Sequence, residues 1–122
     1  MAVEELTTEE QETFYFIGRS CAVRFLETKI RDGSLQSLGL DGFLADLKEL
    51  SENFSQYMLK NFQSFDELPS GVRGQIYTGG HSLLVYFPKY WREKGTPEEA
   101  LEKIRKLLVA GKLKIETEGQ VA

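Results

Sequence analysis

The chain is poor in the residues that most often carry chemistry. Among its 122 residues there is one cysteine, Cys21, and one histidine, His81. A single thiol excludes an intrachain disulfide, and one Cys with one His cannot make a four-ligand Cys/His zinc site, so no metal and no cofactor is expected. There are only three prolines, and no tract rich in Pro, Gly or Ser that would read as a linker. Long apolar runs are missing too. The longest fall far short of the roughly 18–20 residues needed to cross a bilayer, so no membrane partner is expected. The first residues, Met1-Ala2-Val3-Glu4-Glu5, are acidic where a secretory leader would be basic and then apolar. These features lead us to expect a cytoplasmic protein forming one domain over residues 1–122.

What is present suits a globular unit. Hydrophobic residues make up 41% and charged residues 28%, with a net charge of −4. The acids concentrate early: residues 1–88 hold 13 acidic and 7 basic side chains, and residues 89–122 hold 6 and 8. No internal repeat is visible.

The helix signals are local and mechanistic. Thr7-Thr8-Glu9-Glu10-Gln11 offers two overlapping capping boxes, Thr7 with Glu10 and Thr8 with Gln11, so a helix is expected over 8–31, closed by Gly33. Residues 34–39 read as loop. Asp41 is expected to cap a second helix over 42–63, with Phe43, Leu47, Leu50, Phe54, Tyr57 and Met58 on one face. Thr96-Pro97-Glu98-Glu99 predicts a last helix over about 97–110, with Leu101, Ile104 and Leu108 buried and Lys103, Arg105 and Lys106 near its negative end.

Residues 70–94 admit two readings. As a helix, Ile76, Gly80, Leu83 or Leu84, Phe87 and Trp91 share a face, against the cost of four glycines and Pro88. As a hairpin, Gly79-Gly80 would turn between Gln75–Thr78 and Leu83–Phe87, with Lys112–Thr117 as a third strand. The helix is preferred for its continuous face. The expected fold is therefore mainly α, a compact bundle of about four helices with an extended C-terminal tail; the alternative is a small α+β domain built on the hairpin.

One feature exceeds what a small bundle requires. At about 100° per residue the first helix shows two apolar stripes, Phe14, Ile17, Cys21 and Phe25 on one side and Phe16, Val23 and Ile30 nearly opposite, with Tyr15, Ala22 and Leu26 between. A helix apolar around most of its girth needs cover on most sides. A second row left exposed would be a partner surface. We therefore expect a non-enzymatic interaction module, a small subunit or adaptor that forms a homodimer or docks into a larger protein assembly through Phe16, Val23, Leu26 and Ile30.

Two other readings compete. Gly71-Val72-Arg73-Gly74 has the spacing of a G-x-x-G backbone clamp, and Lys89-Tyr90-Trp91-Arg92-Glu93-Lys94 interleaves aromatics with cations. A nucleic-acid-associated subunit would use Arg73, Lys89, Arg92 and Lys94 with the basic C-terminal residues, against an acidic chain. An enzyme or ligand-binding domain would rest on His81. No nucleophile, base and orienting carboxylate occur near it at recognisable spacing, so no catalytic residue is assigned.

Overall fold

The computed structural model describes residues 6–109, and in that span the chain is five α-helices and no strand. They are α1 (Thr8–Arg31), α2 (Ser34–Ala45), α3 (Leu47–Asn61), α4 (Ser70–Lys94) and α5 (Pro97–Val109), with a single 3-10 turn, Phe65–Glu67, between α3 and α4. The fold is mainly α. The proposed third strand and the extended tail lie outside the described residues.

Helix α1 starts where its capping box dictates. Thr7 Oγ1 accepts from the Glu10 amide at 3.0 Å and Glu10 Oε1 accepts from the Thr7 amide at 2.9 Å. It stops at Asp32, followed by Gly33 at φ 82°. Helix α5 is capped by Thr96, whose Oγ1 accepts from the Glu99 amide at 3.2 Å.

Two boundaries differ from expectation. Residues 34–38 are helical, not loop, because Asp32 Oδ1 accepts from the Ser34 amide at 2.9 Å and so nucleates a turn directly after α1, while Gly39 leaves helical geometry at φ 78° and ψ 167° and kinks α2 there. Leu35 is then buried, and Gln36 is tied to the Ile30 carbonyl and to Glu98. Asp41 falls inside α2 instead of capping a helix. The expected helix over 42–63 also breaks at Asp46 (φ −101°, ψ 17°). Its apolar face is nonetheless the buried one, through Phe43, Leu50, Phe54 and Met58. Packing explains the break. Phe43 meets Phe87 and Trp91, at ring centroid distances of 5.4 and 5.8 Å, whereas Phe54 lies on Gly80 and His81. Along α4, Phe87 and Gly80 are about 10 Å apart, while a straight helix would hold Phe43 and Phe54 about 16 Å apart.

Residues 70–94 are one helix, which removes the hairpin alternative. Two of its glycines explain themselves by proximity. A Cβ on Gly79 would collide with the Tyr15 carbonyl, one on Gly18 with the Ile76 carbonyl, and one on Gly80 with the Phe54 ring. The backbones of α1 and α4 therefore touch at Gly18 and Gly79, and Phe54 presses on the bare backbone of Gly80. The two helices rise together: Gln75 Nε2 donates to the Gln11 carbonyl at 3.1 Å, Gly79 lies against Tyr15, and Gly80 lies near Gly18.

The other helices flank this pair. Helix α3 lays Phe54 and Tyr57 against Phe25. Helix α5 folds back from α4 through Gly95 (φ 94°), and Lys103 reaches Glu93 at 2.8 Å. On its other side Glu98 lies beside Ile30 and Arg31, and Arg105 pairs with Glu27, so α5 runs antiparallel to α1 as well. These ion pairs are partly exposed and contribute little individually.

The glycine contact makes a two-sided prediction. Gly79→Ala should destabilise the fold by about 1–3 kcal/mol, because the added methyl meets backbone that cannot rotate away. Gly74→Ala, on the same helix with open space around its Cβ position, should instead stabilise by about 0.5–1 kcal/mol. Urea denaturation of the two variants against the parent tests this; equal effects would rule out the tight crossing.

Candidate functional site

The row Phe16, Val23 and Ile30 follows one flank of α1 because seven residues are nearly two helical turns. Its members meet different surroundings. Val23 is 7% exposed and Leu26 is fully buried, so both belong to the core, and the expected continuous exposed row is corrected on that point. Ile30 is half-buried beside Leu101. Phe16 is 49% exposed.

Helix length explains the difference. Helix α5 begins opposite Arg31 and runs back along this flank, and its 13 residues span about 20 Å. Val23 lies about 12 Å back from Arg31 along α1 and falls under that cover, whereas Phe16 lies about 22 Å back and falls beyond it. The described part of α5 runs to Val109, itself 87% exposed. The candidate docking surface is accordingly the N-terminal part of the flank: Phe16, with Glu9 and Glu12 at helical spacing before it.

The basic residues do not converge. Arg73 sits one turn into α4, and Lys89 and Arg92 lie about 24 and 28 Å further along the same helix. Lys89 and Arg92 are exposed, with the Lys89 ammonium 5.6 Å from the Tyr90 ring centroid. Lys94 lies in a shallow depression with Lys103 and Lys106, where Glu99 and Glu102 interleave with the cations. Tyr90 and Trp91 are buried and offer no stacking face for bases. The basic residues Lys112 and Lys114 lie outside the described span.

His81 and Cys21 occupy separate places. His81 is half-buried against the rings of Phe54 and Tyr77, each 6.1 Å away, and its Nε2 is buried without a hydrogen-bond partner. Burial disfavours the imidazolium and lowers its pKa below the ordinary histidine value. Cys21 lines a groove of about 280 Å³ between α1 and α3 with Ile17, Ser20, Arg24, Tyr57, Met58, Asn61 and Phe62. Burial pushes its thiol up, with Arg24 opposing in part, and Tyr57 is raised by burial and by the neighbouring Cys21. A raised thiol is a poor nucleophile at neutral pH. Among the described residues no group of His, Cys, Asp and Glu is placed to hold a metal ion, and no helix is long and apolar enough to cross a membrane.

Sequence reasoning missed two features here. Arg19 is 2% exposed, with its guanidinium 4.5 Å from the Tyr15 ring centroid. The signal was available, since Arg19 stands on the α1 face next to Gly18. The groove pairing Cys21 with Tyr57 was also missed, because it depends on which helix packs beside the first stripe. No protein-family model matches the chain, and the searches of curated proteins and of solved structures return no match either.

The lowered pKa of His81 fixes a pH dependence. Unfolded, His81 takes up a proton near pH 6.5; folded, it resists until lower pH, so stability should be fully present above that value and decline as pH falls through it. Urea midpoints between pH 7.5 and 5 should fall for the parent and flatten in His81→Gln. Asp32 and Glu93, whose pKa values are lowered by Ser34 and by Lys103 respectively, add their losses only near pH 4 and below. Parallel pH profiles for parent and variant would contradict the assigned burial.

Proposed function

We propose that the chain is a non-enzymatic helical interaction module that docks through the N-terminal flank of α1, with a second copy of itself as the partner. The observation that carries the reading is Phe16: a large aromatic, half-exposed, held on a helix at the end of a row whose Val23 is buried and Ile30 half-buried. A preformed aromatic on regular structure loses little conformational freedom on binding, which is why such residues dominate interface energetics. Burying the rest of Phe16 and its surroundings would contribute about 25 cal/mol per Å² of apolar surface before association costs.

The nucleic-acid alternative has less behind it. Arg73 is separated from Lys89 and Arg92 by most of α4, acids interleave with Lys94, and the aromatics of that segment are used in the core. For an enzyme, His81 would need a partner group, and the rings of Phe54 and Tyr77 are what face it.

Light scattering after size exclusion, over a range of protein and salt concentrations, tests the proposal. The parent should self-associate as its concentration rises, and salt should weaken the association little, since apolar burial is not screened. Phe16→Glu should remain folded and monomeric, whereas Val23→Glu should lose the fold by burying an unpaired carboxylate. A parent that stays monomeric at high concentration, with Phe16→Glu indistinguishable from it, would refute self-association.

A further inference from the structure

We propose that the groove between α1 and α3 binds a small amphipathic carboxylate, a medium-chain or aryl-substituted monocarboxylic acid, with its carboxylate on Arg24 and its apolar body toward Ile17 and Phe62. The proposal goes beyond the docking surface and shares no residue with it. Three observations converge. First, the groove has a direction. Phe25 meets Phe54 and Tyr57, at 5.6 and 5.5 Å between ring centroids, which sets the Arg24 end of the groove beside Tyr57. Ile17, two turns before Arg24 on α1, and Phe62, beyond Tyr57 at the end of α3, line the same groove, so the two helices run antiparallel along it. From Arg24 to Ile17 the groove is about 10 Å long. One end carries a cation, and the other an isoleucine and an aromatic ring.

Second, the walls are already held. The Tyr57 ring stacks on Phe54 at 6.5 Å and meets Phe25 edge-on, Phe62 meets Phe65 edge-on at 5.3 Å, and Met58 is buried. Asn61 Nδ2 donates to the Tyr57 carbonyl at 3.0 Å, which fixes that side chain as well. A ligand entering such a groove orders little that was free before.

Third, the polar complement has one sign. Arg24 is the only charged residue among the described residues that line the groove, and Ser20, Tyr57 and Asn61 add hydrogen-bond donors. Among the described residues no hydrogen bond or ion pair engages the Arg24 guanidinium. Burial keeps the Cys21 thiol and the Tyr57 hydroxyl protonated at neutral pH, so neither supplies a counter-charge. A carboxylate matches the planar donor fork of an arginine, whereas an ammonium is repelled by it. The volume of about 280 Å³ lies at the small end of ligand sites, which restricts the class to compact acids.

Cys21 supplies the readout, since it is the chain's only thiol and lines the groove. Its alkylation by iodoacetamide is timed in the full chain with octanoate, kept below its micelle-forming concentration, and with octylammonium as the oppositely charged control. Octanoate near saturation should slow the reaction by about tenfold, because only the unoccupied fraction reacts, and octylammonium should leave the rate unchanged. Arg24→Gln, at an exposed side chain, should keep its circular dichroism and require about tenfold more octanoate for equal protection, the loss of one charge-assisted pair. Phe16→Glu should be protected as well as the parent, which separates the groove from the docking surface. No slowing by octanoate, equal slowing by octylammonium, or an Arg24→Gln response matching the parent would each overturn the proposal. Loss of protection in Phe16→Glu would do so too, by assigning the effect to association between copies.

Discussion

The arrangement depends on two helix backbones touching. At Gly18 and Gly79 there is no room for a methyl group, and Phe54 seats on Gly80 for the same reason. This contact fixes the axis about which everything else is placed. Once α1 and α4 rise side by side, α3 can lay Phe54 and Tyr57 against Phe25, and α5 can fold back against both α4 and α1. The glycines cost helix propensity, about 1 kcal/mol each relative to alanine, and what offsets them is the dispersion gained when two main chains approach without side chains between them.

That contact also decides which parts of α1 need cover. Gly18 and Ala22 face α4, which leaves the two apolar stripes on either side of the contact line. The stripe with Ile17, Cys21 and Phe25 goes to α3. The other goes to α5, which packs beside Ile30 and pairs Arg105 with Glu27. Phe16, toward the N-terminal end of that row, stays half-exposed.

Much of the fold was legible in the sequence, and the reasons are local. Thr7 with Glu10 and Thr96 with Glu99 are capping signals whose chemistry acts within four residues, so both helix starts read correctly. The apolar spacing of Phe43, Leu50, Phe54 and Met58 identified the buried face of the middle segment. The break at Asp46 was not legible, since it answers to where Phe43 and Phe54 must land on α4, a distance between elements that no local pattern encodes. The four glycines of residues 70–94 were read as a cost to the helix, although two of them are the reason it packs as it does. The α1 flank was half legible: helical period identified its members, but which of them α5 covers depends on how the two helices lie against each other.

The same geometry separates structural from surface roles among residues that look alike in the sequence. Val23 and Phe16 are both apolar, seven residues apart, and on one flank, yet the first is enclosed and the second is not. Substituting Val23 therefore asks about folding, and substituting Phe16 asks about the surface.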